Sequence, residues 1–152
     1  MNAGCGINDF ETNLNKALTE TFDSVLRYEE QQLKSAAGVS VAEAHILEAV
    51  GEKPDGTTAS EIASALGFAP PTITVAVKKL EQKGYVTKRV CSEDARRSYI
   101  CLTDSGKRVY RAHGLFHRRM VRNVSRIFTD DEKTVLLAAV NKLHAFFADR
   151  SD

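Results

Sequence analysis

The spacing of apolar residues along the chain predicts a mostly helical fold. Apolar side chains recur near a helical repeat over residues 9–35, which predicts one long first helix that starts at Asn8. Three pairs have the spacing of a capping box, in which a hydroxyl and a carboxylate satisfy two N–H groups at a helix start. Each pair predicts the start of a further helix. The three pairs are Ser40 with Glu43, Thr58 with Glu61, and Thr129 with Glu132.

The segment between Thr58 and Gly84 has the pattern of a helix-turn-helix. Gly67 ends a short helix, and Pro70-Pro71 stand where a first helical turn tolerates proline. Helical spacing places Ile73, Val77 and Leu80 on one buried face of the second helix. The residues left facing outward are Thr72, Thr74, Val75, Lys78 and Lys79. This arrangement is typical of a helix that enters a DNA groove.

Two short runs rich in Val, Ile, Tyr and Thr, residues 85–91 and 98–102, flank the sequence SEDARR and predict a β-hairpin. Its tip carries Arg96 and Arg97. A two-stranded ribbon beside a recognition helix is suited to holding arginines over the DNA minor groove, where a narrow groove concentrates negative potential. We therefore expect a wing that contacts DNA.

Charge is distributed unevenly along the chain. Residues 1–68 carry 4 Lys+Arg and 11 Asp+Glu, a net charge of −7, whereas residues 69–126 carry 14 and 4, a net charge of +10. Such a basic middle third is the electrostatic footprint of a protein that binds a polyanion. A winged helix that serves only as a protein scaffold is the alternative, and the basic charge and the hairpin arginines argue against it.

Several other classes are disfavoured. No catalytic motif such as GxSxG or GxxxxGK is present, so we expect no enzyme. No segment approaches the roughly 18 consecutive apolar residues of a membrane span, and the N-terminus lacks a signal-peptide pattern, so we expect a cytoplasmic protein. The three cysteines, Cys5, Cys91 and Cys101, lack metal-finger spacing and are expected to be free thiols. Cys5 leaves thiol-oxidation sensing open as an alternative function.

The pattern Asp94-x-Arg96-x-x-x-Ile100-x-Leu102-Thr103-x-x-Gly106, preceded by LEQKGYV, resembles the MarR family of winged-helix transcriptional regulators. The resemblance covers essentially all of residues 1–152 and implies a single domain, mainly α with a small β-hairpin wing. It implies dimerisation helices at about 8–36 and 104–149 and a winged-helix DNA-binding region at about 40–103.

The same resemblance implies a homodimeric repressor on a pseudo-palindromic, double-stranded operator. It places Arg96 in the minor groove and Thr72 and Thr74 toward the major groove. The chain departs from the family pattern at Val75, where an arginine is common, and at Pro70-Pro71. An apolar Val75 suits a thymine methyl better than a guanine edge.

Short stretches such as VLRYEEQQL and FHRRMV resemble the fatty-acid biosynthesis repressors of this family, the FabT branch. That resemblance implies an acyl carrier protein with a long acyl chain as co-repressor, and no required cofactor. The apolar residues available to line an acyl pocket are Val25, Leu26, Ile46, Phe116 and Met120.

A zinc ion is the alternative effector. His113 and His117 are separated by one helical turn, so both imidazoles project from one face, a spacing suited to chelating zinc. With His45 in the second helix and Glu29 and Glu30 in the first, these positions resemble the zinc-sensing members of the same family.

Overall fold

The computed structural model describes the backbone of residues 5–90 and 98–148. Within these ranges the chain forms six helices and one two-stranded antiparallel sheet. The helices are α1 (Cys5–Ala37), α2 (Val41–Gly51), α3 (Ala59–Leu66), α4 (Pro70–Gln82), α5 (Asp104–Ser125) and α6 (Asp130–Ala148), and the strands are β1 (Val86–Val90) and β2 (Ser98–Leu102). None of the described helices has the length and apolar character that a membrane crossing requires.

The chain divides after Ala44 into two compact units, and the first contains α1 and the start of α2. After α1, Gly38 adopts a left-handed φ of 61°, which glycine takes without steric cost. The N–H of Ser40 donates to the Glu43 carboxylate at 2.9 Å, and the N–H of Glu43 donates to the Ser40 hydroxyl at 3.2 Å. This capping box starts α2.

The second unit contains the helix-turn-helix. A complete capping box between Thr58 and Glu61 opens α3, which ends at Gly67 with a left-handed φ of 67°. Three residues later α4 begins, and it packs against α3. The side chains that form this part of the core are fully buried, and they are Ile62, Ile73, Val77 and Leu80.

The hairpin is joined to the helix-turn-helix by a short extra bridge. Strand β1 pairs with β2 in a register that runs from Val86 opposite Leu102 to Val90 opposite Ser98. The N–H of Thr57 donates to the carbonyl of Ile100 at 3.1 Å, and the N–H of Ile100 donates back at 2.7 Å. Because Thr57 directly precedes the cap of α3, this bridge holds the start of α3 against the sheet.

A second connection, which we call the Thr103 junction, joins the end of α4 to the start of α5. The Thr103 hydroxyl donates to the carbonyl of Gly84 at 2.7 Å and accepts the N–H of Gly106 at 3.1 Å. The N–H of Thr103 donates to the carbonyl of Tyr85 at 3.0 Å. Thr103 therefore caps α5 and anchors its first turn to the residues that terminate α4.

Helix α6 starts at a third capping box, between Thr129 and Glu132, and none of its described residues is buried. All three predicted capping boxes are therefore confirmed. The predicted start at Asn8 is wrong, because α1 begins at Cys5 and Asn8 is an interior residue. No proline interrupts residues 5–8, so the helix gains another turn before Asn8.

The mainly helical fold with a β-hairpin is confirmed. The division into dimerisation helices at 8–36 and 104–149 and a winged-helix region at 40–103 stays a prediction.

The Thr103 junction predicts an unusual cost at one glycine. A Cβ on Gly106 would overlap the main-chain carbonyl oxygen of Tyr85, so Gly106→Ala must displace either α5 or the end of α4. We expect a loss of about 1–3 kcal/mol in the free energy of unfolding, measured by urea denaturation followed by circular dichroism.

Gly114→Ala is the matched control in the same helix. Its added Cβ would meet only the end of the Arg118 side chain, at 3.4 Å, so the change should stabilise the protein by up to about 1 kcal/mol. Equal stability of the two variants would contradict the role assigned to Gly106.

Candidate nucleic-acid interface

Helix α4 presents a defined outward face. Its inner face is formed by the buried Ile73, Val77 and Leu80. At 3.6 residues per turn, Val75 points roughly 170° away from the middle of that row. Val75 is 57% exposed although it is apolar. The other predicted contact residues of this helix, Thr72, Thr74, Lys78 and Lys79, are also exposed, so all five predicted side chains share the accessible side of α4.

The first turn of α4 offers few main-chain donors. Pro70 and Pro71 have no N–H, and the N–H of Thr72 donates to the carbonyl of Ala69 at 3.0 Å. The Thr74 hydroxyl donates to the carbonyl of Pro70 at 3.0 Å, which leaves its oxygen lone pairs as acceptors. Recognition by this end of the helix therefore depends on side chains.

The start of α3 is held by an ionised carboxylate. The main-chain N–H of Thr58 and the hydroxyls of Thr58 and Thr57 donate to Glu61, and together they lower the pKa of this carboxyl below its ordinary value. Glu61 is therefore charged at neutral pH. Its contact with Thr57 extends the capping box to the residue that bridges the sheet.

The base of the hairpin is tied to its surroundings on both sides. The Arg89 guanidinium donates to the carbonyl of Asp55 at 2.7 Å, and Lys88 lies 3.5 Å from the Glu81 carboxylate near the end of α4. Neither contact was anticipated from the sequence, because both join residues from separate elements. The predicted tip residues Arg96 and Arg97 lie outside the described residues.

Helix α5 carries a continuous basic face, which we call the basic arc. At 100° per residue its seven cations fall within about 120° of the helix circumference and extend over about 28 Å. All are exposed, and they are Lys107, Arg108, Arg111, Arg118, Arg119, Arg122 and Arg126. Lys107 lies 3.7 Å from Asp104, but no carboxylate among the described residues of this unit pairs with the five arginines from Arg111 to Arg126.

The opposite face of α5 holds two of the three predicted zinc ligands. His113 is only 2% exposed, and its Nε2 lies 2.9 Å from Nε2 of the half-buried His117. The ring of His45 on α2 is 5.8 Å from the ring of His113, and the three histidines offer ligand nitrogens within 4.8 Å of one another. Two nitrogens on one tetrahedral zinc ion are about 3.3–3.4 Å apart, so small side-chain movements fit the three histidines to the metal.

The five predicted effector-pocket residues are divided between the two units. Val25 and Leu26 lie on α1 with 38% and 50% of their surface exposed, whereas Ile46 is buried on α2. Phe116 and Met120 are half-buried on α5, where the Phe116 ring contacts the ring of His117 at a centroid distance of 5.3 Å.

The first unit contains an open groove of about 450 Å³. Of the five predicted pocket residues only Leu26 lines it, together with Asp23, Arg27, Glu30, Ser40, Val41 and Ala42. Its charged lining differs from the apolar lining that was expected.

The cysteines add little to the site. Cys101 is a half-buried free thiol on β2, and its sulfur lies against Gly56. The side chain of Cys5 and the whole of Cys91 lie outside the described residues, so the oxidation-sensing alternative stays a prediction.

Comparison with known proteins agrees with this architecture. A sequence model described as MarR family matches residues 37–97. The chain is 29% identical over 107 residues to the HTH-type transcriptional regulator BilQ of Clostridium symbiosum. The matched region covers 70% of this chain and 73% of the relative.

Solved structures extend the likeness over nearly the whole chain. The crystal structure of Streptococcus pneumoniae FabT in complex with DNA is 28% identical, with a TM-score of 0.87, and the match covers 91% of this chain and 98% of that chain. The S. aureus MepR–DNA complex, at 22% identity and a TM-score of 0.75, shares the fold over 87% of this chain and 96% of its own. These matches are to transcription regulators rather than to enzymes. The chain is therefore similar, in its winged-helix segment and in its overall fold, to the MarR family of DNA-binding transcriptional regulators.

Proposed function

We propose that the protein is a homodimeric, ligand-responsive repressor that reads a pseudo-palindromic operator. Helix α4 lies in the major groove through Thr72, Thr74 and Val75, and Arg96 and Arg97 contact the minor groove from the hairpin tip. The observation that carries this proposal is the outward face of α4, where all five predicted contact side chains are exposed. The FabT relative was crystallised with DNA, which supports DNA binding by this chain.

The charge distribution supports the DNA-bound arrangement. Residues 69–126 include α4, the hairpin and all of α5, and their net charge is +10. Lys78 and Lys79 follow Val75 by three and four residues, so they stand one helical turn beyond the base-facing end of α4. Lysines in that position are suited to the phosphate backbone, which supplies affinity but little sequence information.

Dimerisation is supported by apolar surface on α1 and α6. Phe10 on α1 is 68% exposed, and on α6 Val140 and Phe147 are 49% and 53% exposed. Leu136 and Val140 are four residues apart on one side of α6, in line with Leu143 and Phe147. Extensive apolar rows of this kind are uncommon on a monomer, and a second copy of the chain covers them most simply. We therefore assign the helices at 8–36 and 104–149 to the dimer and residues 40–103 to DNA binding.

Two-fold symmetry determines the form of the operator. Each subunit presents one α4, so the pair reads two half-sites about 34–36 Å apart, one helical turn of DNA. A dimer bound in this way at a promoter represses transcription by occupying it, and it acts in the cytoplasm.

The ligand of this regulator is an acyl chain delivered by an acyl carrier protein. The apolar Ile46, Phe116 and Met120 of the second unit are the residues that we assign to it, and the roles of Val25 and Leu26 stay a prediction. The exposed basic arc of α5 complements the charge of an acidic carrier. The acyl class is what the resemblance of the sequence to the FabT branch implies.

Zinc is a second candidate ligand, supported by the histidine cluster. His45, His113 and His117 offer nitrogens within 4.8 Å of one another, and a buried imidazole is a common zinc ligand. Zinc would supply a cross-link between α2 and α5 and would be lost in acid, because protonated imidazoles do not bind metal.

The wing assignment predicts a specific loss of DNA affinity. Arg96→Ala should weaken operator binding by about 1–3 kcal/mol at matched salt and leave the circular dichroism spectrum unchanged, because it removes the proposed groove contact. Fluorescence anisotropy with a labelled duplex measures the effect. Arg27→Ala on α1, outside the basic region, is the control and should bind normally, whereas unchanged binding by Arg96→Ala would remove the wing from the interface.

The two ligands predict different mutational patterns. Under the acyl proposal, Met120→Gln should strongly impair the response of operator binding to acyl carrier protein, whereas the His113→Ala/His117→Ala variant should alter it only modestly. Under the zinc alternative, the double histidine variant should abolish zinc-dependent operator binding. His144→Ala on α6, an exposed histidine, is the matched control.

Titration calorimetry with zinc and native mass spectrometry for retained lipid provide readouts that do not depend on DNA. Operator binding that rises with sub-micromolar free zinc, and that fails to do so in the double histidine variant, would overturn the acyl assignment.

A further inference from the structure

We infer that α4 reads thymine–adenine pairs, with Val75 contacting the thymine 5-methyl group and the Thr74 oxygen accepting from the adenine amino group. This inference rests on the proposed placement of α4 in the major groove. It names the base pair that α4 recognises, which the likeness to the MarR family leaves open.

Val75 occupies a position suited to contact with a base. It is the side chain nearest the centre of the outward face, opposite the buried row of Ile73, Val77 and Leu80. A solvent-exposed valine is unfavourable in a helix, and at 57% exposure Val75 gains little from packing within its own chain. Its β-branched side chain has one strongly preferred rotamer in a helix, so its methyl groups are presented rigidly. This surface is pre-organised for a small apolar partner.

The hydrogen-bonding groups on the outward side of α4 disfavour guanine. The outward side of the first two turns, from Pro70 to Val77, contains no Arg, Lys, Asn or Gln. Guanine presents only acceptors in the major groove, O6 and N7, and it pairs best with the bidentate donors of Arg or Lys, which this surface lacks. The two prolines and the Thr72 N–H bonded to Ala69 withdraw the main-chain donors as well.

Thr74 offers a hydrogen-bond acceptor to the bases. Its hydroxyl proton is directed to the carbonyl of Pro70, at 3.0 Å, within the same helix. The oxygen that remains available is an acceptor, and the matching donors in the major groove are the adenine N6 and cytosine N4 amino groups. Thymine is the base with a methyl group in that groove. An apolar Val75 beside an accepting Thr74 therefore fits a thymine and the adenine of the same or the next pair.

The cations stand apart from this reading surface. Lys78 and Lys79 lie in the following turn of α4. Affinity from phosphate contacts and specificity from base contacts are thus divided between different side chains. A change at Val75 should alter which sequence is bound without altering the salt dependence of binding.

The test removes single chemical groups from the DNA bases. An operator is first selected from random duplexes with the full-length wild-type protein, and each thymine of one half-site is then replaced in turn by deoxyuridine, which lacks only the methyl group. We expect one thymine at which this change weakens wild-type binding about fourfold, the amount for one buried methyl group. Val75→Ala should bind the thymine and deoxyuridine duplexes equally, and Val75→Ile should retain the discrimination.

The adenine contact is tested with a purine deoxyriboside, which lacks the N6 amino group. Its effect on binding should persist in Thr74→Ser and disappear in Thr74→Val, which keeps the shape but removes the acceptor. These variants change exposed positions, and circular dichroism verifies that each is folded.

The outcomes separate the inference from the proposal beneath it. If wild-type protein selects no operator, either alone or with acyl carrier protein or zinc present, the placement of α4 in DNA is wrong. If it selects an operator but no deoxyuridine change weakens binding, or if Val75→Ala discriminates as well as wild type, DNA binding stands and the reading by Val75 is refuted.

Discussion

The Thr103 junction is the interaction on which the rest of the second unit depends. One hydroxyl donates to the carbonyl of Gly84, where α4 has just ended, and accepts the N–H of Gly106, in the first turn of α5. Gly106 has no side chain, which allows the carbonyl of Tyr85 to approach closely. The spacing of threonine and glycine in the sequence motif therefore has a structural reason. A residue larger than glycine three positions after the cap would force α4 and α5 apart.

This junction and the Thr57–Ile100 bridge hold the helix-turn-helix from two ends. The bridge fixes the start of α3 against the sheet, and Glu61 reinforces it through hydrogen bonds to Thr57 and Thr58. Helix α4 is thus held by hydrogen bonds to the residues that follow it and by the fixed start of α3, and its outward face is left to side chains alone. A rigid support of this kind is what a base-reading surface requires, because small displacements would misplace every contact.

The features that were predictable from the sequence are mostly local. Ser40, Thr58 and Thr129 each announced a helix start, since a capping box is defined by residues three positions apart. The buried row of α4 followed from helical spacing. Asn8 was misleading, because a cap residue stops a helix only when the chain before it leaves the helical path.

Non-local features escaped sequence reasoning. The pairing of Thr57 with Ile100 and of Arg89 with Asp55 joins residues more than 30 positions apart, for which no local pattern exists. The one-turn spacing of His113 and His117 predicted their contact, and His45 was placed with them by resemblance to zinc-sensing relatives. An apolar pocket was harder to predict, because apolar residues such as Val25 and Ile46 are equally suited to a core, an interface or a ligand site.

The central claim is that α4 binds duplex DNA with its lysines on phosphates and its first two turns on bases. The most direct measurement is the dependence of operator affinity on salt for wild type and for Lys78→Gln/Lys79→Gln, with Lys16→Gln/Lys34→Gln on α1 as control. Each phosphate contact contributes about 0.9 to the slope of log affinity against log salt, and the two lysines act in both subunits of the dimer, so the α4 variant should lose about 3.6 of the slope and the control none. A slope that is unchanged in the α4 variant, or a wild-type affinity that does not depend on salt, would contradict the account.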